Sequence, residues 1–172
     1  MPRIPELNLP TDPIKVQLQH KAAWNEVRSL DGADFFTVGY MQRDITGFVA
    51  VLAEAGVRTV LDVRHSPVSM YKPDFSKGNL REHLRSVDIE YLHLPSLGVP
   101  RDIRGKASGK SSREPIWEWY DRHVSPFLNL HQFFNCAEHP VAFLCMELDP
   151  TACHRHRLAI RLEACGLKGF DL

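Results

Sequence analysis

The segment at residues 141–165, VAFLCMELDPTACHRHRLAIRLEAC, combines the clearest structural pattern of the chain with its densest chemistry. The run Val141 to Met146 is apolar throughout, which is typical of a strand buried on both faces of a parallel sheet. Glu147 and Asp149 follow the strand, and Thr151 has the side chain to cap a helix. The segment therefore predicts a strand, an acidic turn and a helix in direct succession.

Working outward from this segment, strand and helix patterns alternate along most of the chain. Short apolar runs predict further strands, and each is followed by apolar residues at helical spacing. The further strands are predicted at 35–38, 58–63 and 89–94, with a last edge strand at 167–172. Alternation of this kind favours a single α/β domain over residues 34–172, with a mainly parallel sheet of four to five strands flanked by helices in Rossmann-like layers.

Three other stretches of the chain have a distinct composition. Residues 1–33 predict an N-terminal extension, made of a proline-rich arm and one helix at 14–29. Residues 98–113 are rich in Gly and Ser and predict a mobile loop. Residues 115–135 predict a long helical region that Pro126 breaks or kinks.

The composition excludes some functional classes. The chain has 172 residues, 44% hydrophobic and 24% charged, with a formal net charge of zero. A neutral chain has no overall field to attract nucleic acid, so such binding requires a local basic patch. We expect no membrane partner, since no apolar run approaches the length of a spanning helix. Four cysteines without a Cys-x-x-Cys pair favour a reducing compartment, and we expect the cytoplasm.

Polar residues stand where three of the predicted strands end. Asp62 and Arg64 end the second strand, His93 ends the third, and Cys145 and Glu147 end the fourth. Ligands of open α/β sheets bind outside the carboxyl ends of the strands, so we expect these side chains to share one site. Glu147 or Asp62, helped by His93, would then move a proton. The alternatives are a structural Asp62–Arg64 ion pair, a core histidine and an inert buried Cys145.

The helix start after the fourth strand adds a second group of candidates. Cys153, His154 and Arg155 fall in its first turn, where free N–H groups and the helix dipole favour anions and thiolates. We therefore expect a lowered pKa for Cys153, which makes it a candidate nucleophile. Arg155 and His154, together with Arg64, are candidates for binding an anion.

The predicted loop at 98–113 contains a local concentration of positive charge. Arg101 and Arg104 are accompanied by two lysines and a further arginine, against one aspartate. The loop is either a solvated segment or a clamp that closes over phosphate groups. We include Arg101 and Arg104 among the candidates for substrate binding.

The motifs, taken together, resemble the domain of unknown function 488 family. The resemblance rests on 62–64 (Asp-Val-Arg), 91–95 (Tyr-Leu-His-Leu-Pro), Cys145-x-Glu147 and 153–155 (Cys-His-Arg), which occur in the family's order. Residues 37–40 are similar to its first strand, and for this reason Tyr40 joins the substrate-binding candidates. The likeness runs from about residue 36 to the C-terminus. It implies an α/β protein of bacterial type with an active site at these motifs.

The site chemistry favours an enzyme of the hydrolase or transferase type that acts on a phosphorylated, nucleotide-like or nucleic-acid substrate. A non-catalytic module that binds nucleic acid or protein is the first alternative. Thiol–redox chemistry between Cys145 and Cys153 is another. No cofactor is predicted, although Cys145, Cys153, His154 or His156, with Glu147, have ligand types suited to zinc at a spacing that matches no familiar zinc pattern. The oligomeric state stays open.

Overall fold

The computed structural model describes residues 30, 32–106, 112–124, 134–135 and 137–172. The predicted N-terminal helix at 14–29 and the region around Pro126 lie outside these residues. Within them the chain forms five strands and five α-helices, which alternate for most of its length. Their order is β1 (Phe35–Gly39), α1 (Ile45–Glu54), β2 (Thr59–Asp62), α2 (Lys77–Arg85), β3 (Glu90–His93), α3 (Arg101–Lys106), α4 (Glu114–His123), β4 (Val141–Cys145), α5 (His154–Ala164) and β5 (Gly169–Asp171).

The five strands form one parallel sheet in the order β3-β2-β4-β1-β5. Strand β4 therefore lies between β2 and β1, with Leu144 opposite Asp62 and Cys145 opposite Gly39. The carboxyl ends of β2, β4 and β1 consequently meet in the middle of one edge of the sheet. This arrangement confirms the predicted α/β fold with its parallel sheet.

Both faces of the sheet are covered, which explains the uniformly apolar strands. Neighbouring strand residues point to opposite faces, so Phe35 and Phe143 enter one core while Phe36 and Leu144 enter the other. Helices α1 and α2 cover the second of these cores, and α3, α4 and α5 cover the first. Among the described residues, no helix combines the length and apolarity needed to cross a membrane.

Two local predictions from the sequence are wrong. Residues 101–106, predicted as part of a mobile loop, form helix α3, because Ile103 packs into the core and anchors the segment. Thr151 does not cap the helix after β4. The Asp149 side chain instead accepts a hydrogen bond from the Thr151 N–H and caps a short 3-10 helix, Pro150–Ala152. Helix α5 begins one turn later, with Cys153 at its N-cap.

Candidate active site

A pocket opens at the carboxyl ends of the three middle strands. Tyr40 follows β1, Arg64 follows β2, Cys145 ends β4 and Glu147 follows it. Because β4 lies between β2 and β1, these residues meet although they are far apart in the sequence. The pocket lining includes Tyr40, Arg64, Arg104, Cys145, Glu147 and His154. All six are among the candidates named from the sequence, and they line one pocket.

Arg64 is held in place by a buried ion pair. Its Nε and one terminal nitrogen donate to the two carboxylate oxygens of Asp62 at 2.8 and 2.6 Å, and its other terminal nitrogen donates to the Phe75 carbonyl at 2.8 Å. The Tyr91 hydroxyl also donates to Asp62, at 2.5 Å. Burial disfavours the guanidinium charge, but the hydrogen bond and charge of Asp62 outweigh it and raise the pKa of Arg64. Asp62 therefore orients Arg64 and, being fully buried, does not face a substrate.

Tyr40 supports the Arg64 guanidinium from the side of β1. Its ring stacks on Phe75 with the centroids 4.5 Å apart, and the Arg64 guanidinium lies over it at 5.2 Å from the centroid. Cations are attracted to aromatic faces in this geometry. The Tyr40 side chain thus lines the pocket and restricts the orientation of Arg64.

Two thiols, an imidazole and a carboxylate cluster beside Arg64. The Cys145 Sγ lies 3.7 Å from the Nδ1 atom of His154 and 3.4 Å from the Oε2 atom of Glu147. The Cys153 Sγ lies 3.9 Å from the same Nδ1 atom. The other ring nitrogen of His154 is 2.9 Å from the Val63 carbonyl, so it donates there and leaves Nδ1 facing the thiols.

The electrostatics of the cluster differ from the sequence-based expectation. Burial, followed by the neighbouring Cys145 thiol, raises the pKa of the Cys153 thiol, which is 1% exposed. The predicted lowering at a helix start is wrong, because loss of solvent outweighs the helix dipole at this depth. Burial also works against the charged form of His154, but Cys153, the Val63 carbonyl and Glu147 raise its pKa on balance.

The contacts of Glu147 lower the pKa of its carboxyl. Burial acts to raise the pKa of this carboxyl, but its own backbone N–H, Cys153, His154 and Cys145 lower it on balance. Its second carboxylate oxygen lies 3.5 Å from Arg113, which is half exposed. A partly buried carboxylate requires partners, and here an N–H, two thiols, an imidazole and a guanidinium provide them.

Arg155 occupies a place different from the one predicted. Its guanidinium is fully buried and donates to the Thr37 hydroxyl at 3.2 Å and to the carbonyls of Glu147 and Leu148 at 2.5 and 3.1 Å. It therefore holds the turn after β4 from behind, with each guanidinium nitrogen bonded to the protein and the side chain outside the pocket lining.

His93 and Arg101 also lie apart from the pocket lining. One ring nitrogen of His93 is 2.9 Å from the Arg64 carbonyl and the other is 3.4 Å from the Lys77 ammonium, so His93 supports the segment that carries Arg64. Arg101 is exposed at the start of α3, one turn before Arg104. Of the two arginines predicted as a clamp, Arg104 lines the pocket and Arg101 does not.

Sequence reasoning missed or undervalued three residues of the site. The sequence leaves Cys145 open as an inert core cysteine, yet it lines the pocket between Glu147 and His154. The sequence contained a signal for this position, because Cys145 and Glu147 stand two positions apart at one strand end and so point to the same side of the sheet. Tyr91 gave no such signal, since its partner Asp62 lies on the neighbouring strand, and nothing in the sequence marked His65, which lines the pocket.

A parallel α/β domain with a polar pocket beside its middle strands is the ordinary architecture of ligand-binding and catalytic α/β proteins. A family model described as Domain of unknown function DUF488 matches residues 44–162. The chain therefore belongs to this family. No curated protein and no solved structure gives a significant match.

Proposed function

We propose that this protein is an enzyme of the hydrolase or transferase type, acting on a phosphorylated or similarly anionic substrate in the pocket. The observation that carries the proposal is the meeting of two guanidinium groups, from Arg64 and Arg104, with the carboxylate of Glu147. Guanidinium groups bind phosphate and carboxylate groups through paired, charge-assisted hydrogen bonds. A carboxylate beside a bound anion is suited to accept a proton from an attacking water or hydroxyl group.

The two guanidinium groups would play unequal parts. Arg64 uses three of its five N–H groups on Asp62 and Phe75, which leaves the rest for Tyr40 and for a ligand. It is a rigid, pre-positioned donor. Arg104 is exposed on α3 and free to adjust, so it would close on a substrate that Arg64 has already oriented.

The same chemistry suits a nucleotide or a nucleic-acid backbone as well as a small phosphate ester. We place the activity in the cytoplasm, because the three described cysteines are all free thiols and two of them lie side by side without a disulfide. In the non-catalytic alternative, the pocket binds the same anions but catalyses no reaction.

The experiment uses two chromogenic probes, p-nitrophenyl phosphate for a monoester and bis(p-nitrophenyl) phosphate for a diester. Arg104→Ala should raise KM by about tenfold, the cost of one charge-assisted hydrogen bond. Arg101→Ala is the matched control on the same helix, and its KM should stay within about twofold of the wild-type value. Glu147→Gln, which keeps the shape of the side chain, should lower kcat by about 100-fold or more.

Equal effects of Arg104→Ala and Arg101→Ala would contradict the anion pocket. Unchanged kcat in a folded Glu147→Gln protein would contradict the role of Glu147. If the wild-type protein binds inorganic phosphate in competition with a labelled oligonucleotide but turns over neither ester, the pocket is a binding site, as in the non-catalytic alternative.

A further inference from the structure

The cluster beside the pocket contains an unusual concentration of soft ligand atoms. The Sγ atoms of Cys145 and Cys153 and the Nδ1 atom of His154 all lie within 4.8 Å of one another, and all three residues are buried. Soft thiolates together with an imidazole favour zinc over the oxygen-loving cations. The geometry points to a Zn²⁺ site formed by Cys145, Cys153 and His154.

The two sulfur–nitrogen distances of the cluster match a tetrahedral ion, and the two sulfur atoms lie within 4.8 Å of each other. With Zn–S bonds of about 2.3 Å and Zn–N bonds of about 2.1 Å, tetrahedral angles separate a sulfur from a nitrogen ligand by about 3.6 Å. The two observed separations from the His154 Nδ1 atom are 3.7 Å to Cys145 and 3.9 Å to Cys153. Small movements of three side chains would therefore bring all three atoms to bonding distance of one ion.

The orientation of His154 is the one that a metal ligand requires. Its Nε2 atom donates to the Val63 carbonyl at 2.9 Å, so the lone pair of a neutral ring lies on Nδ1, toward the two thiols. Histidine ligands of metals nearly always donate their other N–H in this way, which fixes both tautomer and ring orientation. The ligands also stand on firm supports, with Cys145 at the end of β4 and His154 at the start of α5.

Charge balance favours the same occupant. Two thiolates and one Zn²⁺ sum to zero with a neutral imidazole, so the ion removes the cost of placing charge in this buried position. Two protonated thiols packed against an imidazole satisfy few hydrogen bonds, since the S–H group is a weak donor.

The fourth coordination position would face the pocket. The Glu147 carboxylate lies 3.4 Å from the Cys145 Sγ, on the side where Cys145 lines the pocket. Three protein ligands with a fourth position open to a pocket is the arrangement of catalytic rather than structural zinc sites. The zinc site does not depend on the proposed reaction, because metal binding is measured without turnover.

The test uses full-length protein produced without a histidine tag in zinc-supplemented medium and purified without chelator. Elemental analysis should give about one zinc per chain. Cobalt added to chelator-stripped protein should produce the near-ultraviolet charge-transfer absorption of thiolate ligands. Cys145→Ser and Cys153→Ser should each weaken zinc binding by about 100-fold. Cys165→Ser, which alters a buried thiol outside the cluster, should retain full zinc content and the cobalt absorption.

Circular dichroism of each variant separates loss of metal from loss of fold. Wild-type protein that carries less than about a tenth of an equivalent of zinc and shows no cobalt–thiolate absorption would overturn the inference. An equal loss of zinc in Cys165→Ser would also overturn it. Arg104→Ala should retain its zinc while losing affinity for the phosphate esters, so failure of the zinc site and failure of the proposed reaction give different results.

Discussion

Replacing Gly39 by alanine would test how the turn after β4 is held against β1. Gly39 ends β1, and a Cβ atom there would lie 1.8 Å from the Glu147 carbonyl oxygen and 2.6 Å from its carbon. That carbonyl also accepts a hydrogen bond from Arg155 at 2.5 Å. To relieve the contact, the Glu147 backbone must retreat by more than 1 Å, since 1.8 Å has to become at least 3.0 Å and overlap with backbone cannot be avoided by a rotamer change.

The expected loss of stability in Gly39→Ala is the sum of two costs. Overpacking a filled site costs about 1–3 kcal/mol, and weakening the charge-assisted hydrogen bond from Arg155 adds about 1.5–3 kcal/mol. We therefore expect Gly39→Ala to lower the free energy of unfolding by about 2.5–6 kcal/mol. Because the carboxylate of Glu147 moves with its backbone, turnover of the phosphate esters should fall by about 100-fold in the protein that remains folded.

The matched control is Gly78→Ala on α2, where a Cβ atom meets nothing within 4 Å. This substitution should stabilise the protein by up to about 1 kcal/mol, because alanine loses less backbone entropy in a helix. Equilibrium unfolding in urea measures both variants, with turnover assayed on the same preparations. If Gly39→Ala unfolds within about 0.5 kcal/mol of the wild type and retains full turnover, the close contact between β1 and Glu147 does not exist.

Three further predictions concern buried groups away from the reacting atoms. Arg155→Lys should cost about 2–4 kcal/mol in urea unfolding, because an ammonium cannot reproduce the fork that holds two carbonyls; a cost below about 0.5 kcal/mol would refute this. Tyr91→Phe should cost about 1.5–3 kcal/mol by removing a hydrogen bond to the Asp62 carboxylate, and an unchanged urea midpoint would contradict the pairing. Burial raises the pKa of the Cys165 thiol to about 11, so the unfolded chain ionises first. The contribution of this thiol to the free energy of unfolding is complete below pH 9 and is lost between about pH 9 and 11. Urea unfolding across this pH range should therefore show a steeper loss of stability for the wild type than for Cys165→Ser. Parallel stability curves for the two proteins would refute the raised pKa.

The sequence predicts the strands and helices of this fold better than the order of the strands in the sheet. Apolar runs such as Val141–Cys145 identify strands because both faces of a parallel sheet are buried. The position of β4 between β2 and β1 has no local signature, since it depends on how the crossover helices pack against the sheet. The meeting of Tyr40, Arg64 and Glu147 in one pocket follows from that order.

Helix ends illustrate a second limit of sequence reasoning. Asp149, Pro150 and Thr151 form a sound capping pattern, and the error lay in which helix they begin. Asp149 caps the 3-10 turn at Pro150–Ala152, and the α-helix starts one turn later. Capping residues signal the end of an extended segment and do not distinguish a 3-10 turn from an α-helix. The N-cap of α5 is therefore Cys153 rather than Thr151.

Two arginines of similar burial illustrate why residue type alone did not assign roles. Arg64 pairs with the carboxylate of Asp62 and lines the pocket, whereas Arg155 donates to Thr37 and to two backbone carbonyls and lies outside the pocket lining.

Glu147 connects Arg155 with the pocket. Its carbonyl accepts a hydrogen bond from Arg155, while its side chain lines the pocket. A carboxylate on a turn is normally mobile, since loops order their side chains weakly. Here a guanidinium behind the turn and a glycine beside it fix the backbone, so the carboxylate meets the thiols and the Arg64 edge of the pocket in one orientation. The buried arginine therefore contributes to the site by positioning the residue in front of it.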